Sequence, residues 1–222
     1  MQLYPAMIQL ENKRVVIIGG GDVALRKARD LLEAGATVLV IAPAVHQDFK
    51  SLAGSSGASL EILERPYQPG DLAEAALVFA ATSTADVNKA VFKEAQERNI
   101  FINAVDDPPN CTFFVPSFIK KGDLILALST SGKSPALAAR LRREIEKHIP
   151  ENIEQTLSAL SEIRHIFKSH KNFTDISSSD RGRILRLIAN SDALLQEAVA
   201  ASASGRLYQF LVRLLKIPPA DT

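Results

Sequence analysis

At 222 residues, 46% hydrophobic and 23% charged, the chain can build one large or two small domains with a real core, and it is too apolar to be disordered. A net charge of +1 argues against a general nucleic-acid or anionic-membrane binder. Cys111 is the single cysteine, so no internal disulfide forms and a reducing, cytoplasmic location fits. The N-terminus, MQLYPAMIQLENKR, lacks a basic stretch followed by an apolar one, and no apolar run approaches the roughly 18 residues of a membrane span.

The apolar lead-in Leu3–Leu10 ends in a polar turn at Glu11-Asn12-Lys13 and reads as a flanking strand or coil. Val15–Ile18 is a β-branched, wholly apolar run, as a buried parallel strand should be. Gly19-Gly20-Gly21 follows at once. Asp22–Ala34 has helical spacing, with Ala24, Ala28, Leu31 and Leu32 on one face and Gly35 at the C-cap. Thr37–Ile41 is a second strand, Ser51–Ser59 a loop, Leu60–Leu63 a short strand, Tyr67–Gly70 a turn, and Leu77–Thr82 a fourth strand. Ser83–Asn99 predicts a helix with a capping box at Ser83 and Asp86 and with Val87, Ala90, Val91, Phe92 and Ala95 facing inward. Ile100–Val105 predicts a fifth strand. This alternation means a Rossmann-like, doubly wound parallel sheet in an α/β fold, with ligands beyond the carboxyl ends of the strands.

After residue 105 the pattern changes. Thr112–Ile119 and Asp123–Ser129 are β-rich runs joined by Lys120-Lys121-Gly122, which suggests a hairpin. Ser134-Pro135 opens a helix to about His148. Beyond it lie four more helical stretches, Glu151–Lys171, Asp180–Asn190, Asp192–Ala203 and Arg206–Leu215, before Pro218-Pro219. The expected division is a nucleotide-binding domain over 1–111, a dimerisation hairpin and helix over 112–150, and a helical cap over 151–222. The aromatic load of the hairpin (Phe113, Phe114 and Phe118) suggests a subunit interface.

The turn after the first strand matches G-x-G-x-x-A, with Gly19, Gly21 and Ala24 in the small positions. The first glycine permits the tight turn, the second lets backbone approach a pyrophosphate, and the third small residue lets helix and strand pack closely. The helix N-terminus supplies free N–H groups and a positive dipole end. A carboxylate about 20 residues on usually reads the ribose of NAD. Here the second strand ends Ile41-Ala42-Pro43-Ala44 without acid or arginine, and leaves NAD against NADP open.

Asn103-Ala104-Val105-Asp106-Asp107-Pro108-Pro109 places a carboxylate at a strand end beside that crevice, as a base or as a turn former. Ser129-Thr130-Ser131-Gly132-Lys133-Ser134 suits carboxylates or phosphates, or is simply a capped loop; its spacing is not that of a Walker loop. Arg140, Arg142, Arg143 and Lys147 give the next helix a basic side, which matters if the substrate is polyanionic. His46, His148, His165 and His170 form no H-x-x-x-H pair, so no resident metal is expected.

Together these pieces resemble the precorrin-2 dehydrogenase/sirohydrochlorin ferrochelatase family, the dehydrogenase–chelatase module of siroheme synthase. The matching residues are Tyr4-Pro5, Gly19–Ala24 with Arg26-Lys27, Leu31–Ala36, Ala80-Ala81-Thr82, Asn103–Asp106 and Ser129–Ala138, which cover about residues 3–150 in order. The resemblance implies NAD-dependent oxidation of precorrin-2, an eight-carboxylate tetrapyrrole, to sirohydrochlorin. Some members also insert Fe2+ to give siroheme, and the sequence leaves that activity open. It implies Asp106 as the catalytic base, NAD contacts at Gly19, Gly21, Asp22, Val23, Pro43, Ala44, Thr82 and Ser83, and substrate contacts at Ser129, Thr130, Ser131, Lys133, Ser134 and Arg140. It also implies a homodimer. Longer members carry a methyltransferase domain, for which this chain is expected to have no room. The competing class is an NAD-sensing regulatory module without chemistry; such modules usually keep the acid after the second strand. A different small-molecule dehydrogenase is a third reading.

Overall fold

The computed structural model describes residues 2–54, 59–173 and 175–215. The chain divides into two compact units, Met1–Val115 and Pro116–Thr222. The first holds five parallel strands, β1 (Arg14–Ile18), β2 (Thr37–Ile41), β3 (Leu60–Leu63), β4 (Leu77–Ala80) and β5 (Phe101–Ala104), in the order β3-β2-β1-β4-β5. This is the doubly wound sheet that the sequence predicts, and the strand order reverses between β1 and β4.

Alternation along the strands explains why they are apolar throughout. Val15, Ile17, Val38, Val40, Leu77 and Phe79 pack with Ala24, Leu25, Ala28 and Leu31 of α1 (Asp22–Glu33) and Phe49 of α2 (Asp48–Ala53). Val16, Ile18, Leu39, Ile41, Val78, Ala80, Ile102 and Ala104 form a second core with Leu72 and with Val91 and Ala95 of α3 (Ala85–Glu97). Successive side chains point to opposite faces, and here both faces are covered. Each fully buried Val, Ile or Phe contributes about 1.5–3 kcal/mol.

Several local expectations differ. Asp48–Ala53 is a helix; six residues are too short to show a period, yet Phe49 is fully buried. Of the loop expected at Ser51–Ser59, residues 51–53 belong to that helix, and 55–58 lie outside the described residues, as do Pro218 and Pro219. α3 starts at Ala85 without a side-chain cap, so the Ser83–Asp86 box does not form. Ala90 is exposed, while Asn88 and Glu94 are buried on the inner face. Thr112 turns back onto β5, its N–H donating to Ile102 O at 2.8 Å, and Phe113 packs edge-on against Phe79 with centroids 5.3 Å apart. The hairpin strand therefore begins at Ser117 and leaves Phe113 and Phe114 outside it.

In the second unit β6 (Ser117–Lys121) pairs antiparallel with β7 (Leu124–Leu128). The turn is Gly122-Asp123, with Gly122 at φ +55°; Lys120 and Lys121 are in the strand. Ser134 caps α4 (Pro135–Glu146), its Oγ accepting the Leu137 N–H at 3.2 Å. α5 (Ile153–Ser169), α6 (Ser178–Ala189), α7 (Asp192–Ala203) and α8 (Leu207–Leu215) enclose a core of Ile163, Phe167, Phe173, Ile188 and Leu211. No described helix is long and apolar enough to cross a membrane.

Glu94 holds the β3–β4 connection to α3. Its carboxylate accepts the Tyr67 hydroxyl at 2.5 Å, the Gly70 N–H at 3.0 Å and Arg98 Nε at 2.7 Å. Burial alone would raise its pKa, but these three donors together hold it below the usual carboxylate value. Burial and the carboxylate push the Tyr67 phenol up. Asp71, gripped by Arg65 at 2.8 and 2.7 Å, is also depressed, first by that hydrogen bond. Carboxyls depressed on folding stabilise above their unfolded pKa, near 4.5 for Glu94, and that stability disappears as pH falls through the folded pKa. Glu94→Ala should cost about 1.5–3 kcal/mol at pH 7, since it removes a buried carboxylate that accepts three hydrogen bonds. Thermal melts from pH 7 to 3 should show the gap between wild type and variant narrowing on the acid side; a constant gap would place Glu94's contribution in packing alone.

Candidate functional site

The carboxyl end of β1 runs between the ends of β2 and β4. Gly19 N–H donates to Ile41 O at 2.9 Å on one side, and Ala81 N–H donates to Ile18 O at 2.8 Å on the other. Gly19 has φ +128°, and a Cβ there would lie 2.3 Å from Ala81 O. At Gly20 a Cβ would lie 2.2 Å from Ala44 O and 2.9 Å from Val45 Cα. Gly20 is therefore as crowded as Gly19, although the motif assigns it no role. Gly21 is the reverse: at φ −83° it stands at the N-cap of α1, and a Cβ would meet nothing within 4 Å.

The turn is thus crowded toward the protein and open on the side of the helix N-terminus. No side chain caps α1. Its first amides and dipole face outward at an exposed glycine, a cradle that fits a pyrophosphate. Asp22 and Val23 begin that helix, with Asp22 exposed. Pro43 and Ala44 are exposed just beyond β2.

His46 ties this edge together, and no motif points to it. Its N–H donates to Gly20 O at 2.7 Å, Nδ1 accepts the Asp48 N–H at 3.2 Å, and Nε2 faces Asp22 Oδ1 at 3.5 Å. Asp48 also pairs with Arg29 at 3.3 Å. At the end of β4, Thr82 Oγ1 lies 2.8 Å from Asn88 Oδ1 and accepts the Thr84 N–H at 3.1 Å; Ser83 beside it is exposed.

Beyond β5 the two adjacent aspartates differ. Asp106 has φ +59° and is exposed, and among the described residues its carboxylate has no hydrogen-bond or ion-pair partner. Asp107 Oδ2 accepts Asn110 Nδ2 at 2.6 Å, and its carbonyl accepts the Asn110 N–H at 3.0 Å, as a turn former does. Cys111 closes the same turn, donating to Ala104 O at 3.1 Å, and burial pushes its thiol up, which disfavours the thiolate. Asn103 Nδ2 donates to Phe113 O at 3.0 Å. Gly19–Gly21, Thr82–Ser83 and Asp106 thus stand at the carboxyl ends of three neighbouring strands, β1, β4 and β5.

The remaining predicted residues belong to the second unit. Ser129 Oγ accepts the Ser131 N–H, Thr130 Oγ1 the Ser134 N–H and Ser134 Oγ the Leu137 N–H, so three of the four hydroxyls build the loop and the helix cap. Ser131 and Gly132 have φ +53° and +78°. Lys133 and Arg140 are exposed. On α4, Arg142 pairs with Glu146 and Lys147 with Glu144, whereas Arg140 and Arg143 make no ion pair among the described residues. An open cavity of about 320 Å³ near Phe210 and Arg213 contains none of the predicted residues.

A glycine turn on an uncapped helix, at the point where a parallel sheet reverses its order, defines an NAD(P)-binding α/β protein. Residues 6–117 match a family model described as putative NAD(P)-binding, and residues 121–148 match one described as sirohaem biosynthesis protein central. The chain belongs to the family of the first model, and siroheme synthases are among its relatives. It is 34% identical over 221 residues to siroheme synthase 2 of Yersinia enterocolitica, covering 100% of this chain and 45% of that protein. It is 39% identical over 176 residues to siroheme synthase of Pseudoalteromonas translucida, covering 79% and 37%. For the Pseudomonas aeruginosa enzyme it is 38% over 168 residues, covering 76% and 36%. The chain thus spans less than half the length of these relatives. A solved structure titled SirC, precorrin-2 dehydrogenase, shares the fold with a TM-score of 0.74 at 24% identity, over 96% of this chain and 100% of that one.

Two glycine substitutions separate binding from folding. Gly21→Asp finds open space and should fold, but it puts a carboxylate where the pyrophosphate approaches; NAD affinity measured by calorimetry should fall at least tenfold, about 1.4 kcal/mol. Gly20→Ala meets rigid backbone and should lower stability by about 1–3 kcal/mol. A folded Gly21→Asp protein with unchanged NAD affinity would place the site elsewhere.

Proposed function

We propose that the chain is an NAD-dependent precorrin-2 dehydrogenase that forms sirohydrochlorin for siroheme. The observation that carries this reading is the row of strand ends: an open dinucleotide cradle at β1 and an unpartnered aspartate at β5, two strand spacings or about 10 Å apart. That span suits a ligand whose pyrophosphate sits on α1 and whose nicotinamide reaches toward β5. NAD, when bound, accepts the hydride. Asp106 removes the proton that must leave the macrocycle as the hydride departs, and its carboxylate is exposed and, among the described residues, unpartnered. NAD is the cofactor in this reading, in keeping with the NAD(P)-binding family model over residues 6–117.

Ser131, Lys133, Arg140 and Arg143 present donors and positive charge suited to a polycarboxylate, alongside the hydroxyls of Ser129, Thr130 and Ser134 that shape the loop. Fe2+ is a second substrate if the same carboxylate also takes pyrrole protons during metal insertion. The molecule works as a homodimer in this reading. Phe118 and Ile125 on the hairpin, with Leu137, Leu141 and Ile145 four apart on α4, are all exposed, an apolar load unusual for a monomer. A regulatory module without chemistry would have no use for Asp106 in a strained, unpartnered conformation beside the crevice.

Asp106→Asn retains size and hydrogen bonding but removes the base. In anaerobic turnover of precorrin-2 with NAD it should lose about 10²–10⁴ in rate while NAD affinity is retained. Asp107→Asn should be far milder. Near-normal turnover by Asp106→Asn would remove it as the base, and equal losses in both variants would indicate a loop effect. Sedimentation equilibrium at micromolar concentration should show a dimer for the wild type and a monomer for Leu141→Asp; a monomeric wild type would rule out the interface.

A further inference from the structure

We infer that Asn88 is a positioning residue for the dinucleotide crevice, acting through Thr82 to set the Thr82–Thr84 segment and leave the Ser83 hydroxyl free at its wall. This rests on reading the glycine turn as the NAD site. Asn88 is 8% exposed, on a helix face whose other inward residues include Val91 and Ala95. An amide in such a place is costly unless both its ends are partnered. Both are, and by one residue: Oδ1 accepts the Thr82 hydroxyl at 2.8 Å, and Nδ2 donates to Thr82 O at 3.0 Å. The same hydroxyl oxygen accepts the Thr84 N–H at 3.1 Å.

Packing gives no reason for this choice, since an aliphatic side chain at position 88 would fill the face. The amide instead fixes the first residues beyond β4, beside β1, where the strand order reverses. The Thr82 hydroxyl has one proton and two acceptors within the protein, Asn88 Oδ1 at 2.8 Å and Thr84 O at 3.1 Å, so that proton is taken up internally and not by a cofactor. Ser83 and Thr84 are exposed, and among the described residues neither hydroxyl has a partner, so Ser83, next to Thr82, is a donor this segment offers. Asn88 touches neither cofactor nor substrate in this arrangement; it sets the conformation in which Ser83 meets them.

The test is NAD calorimetry on the full chain with Asn88→Ala, Thr82→Val, the double variant and Thr82→Ser. Each of the first two should raise the NAD Kd five- to twentyfold, and the double variant should be no worse than the poorer single, because the pair acts as one unit. Thr82→Ser retains the hydroxyl and should stay within twofold. For Asn88→Ala, turnover at saturating NAD should stay within threefold of wild type, so that the loss falls on KM for NAD. An unchanged Kd in the folded variants, or additive losses, would overturn the inference. Should Asn88→Ala fail to fold, Thr82→Val against Thr82→Ser decides it. If Gly21→Asp weakens NAD while these variants do not, only this inference falls; a wild type that binds no NAD removes the cofactor reading and this inference with it.

Discussion

Three strand ends meet so closely that two of the residues between them have no space for a side chain. β1 enters the turn between Ile41 and Ala80, its register partners on β2 and β4, and the next two positions face the carbonyls of Ala81 and Ala44 at distances no Cβ tolerates. Gly19 and Gly20 are therefore demanded by packing, before any ligand is considered. Their effect is to bring α1 down onto the sheet through Ala24 and Ala28 with its first amides uncapped. Gly21, by contrast, has room. Its freedom from steric demand makes it the position most directly tied to a bound anion.

The parallel sheet was legible because β-branched runs, a glycine turn and 3.6-residue spacing all point to the same unit. The Ser134–Pro135 helix start was legible for the same reason, since its cap is local. What escaped depends on partners distant in sequence or on very short segments. Phe113 has the composition of a strand residue, but its edge-on contact with Phe79, 34 positions earlier, draws it into the first unit. α2 is too short for periodicity. Asn88 and Glu94 sit among polar helix residues, and only the fold shows that their partners, Thr82 on one side and Tyr67, Gly70 and Arg98 on the other, converge on them. Ser83 and Asp86 had capping-box spacing, yet Thr82 Oγ1 takes the amide of Thr84 and sets a different entry into α3.

The two aspartates after β5 show how neighbouring identical side chains acquire different capacities. Asp107 is held by Asn110 through side chain and backbone, and Cys111 fastens the turn to Ala104. Asp106 bears the conformational cost: a non-glycine residue at φ +59°, in a region that aspartate tolerates better than most. Strain of this kind persists only where the surroundings over-determine it. Here they do so through Asp107, Asn110 and Cys111, so the locked residues orient the free one.

The absence of an acid at the end of β2 has a three-dimensional answer. Counting along the strand finds only Ala42, Pro43 and Ala44, but the fold brings in Asp22 from the start of α1 and Asp48 from the start of α2, both facing His46. Arg29 offsets Asp48, while Asp22 is almost fully exposed beside the open glycine. A carboxylate supplied by the helix rather than by the strand leaves the same electrostatic sign at this edge. A neutral ribose hydroxyl can donate to it, whereas a 2′-phosphate would bring further negative charge toward Asp22 and Asp48. The charge arrangement thus favours NAD, consistent with a site whose sequence signature lies in the glycine turn and not in the strand that follows.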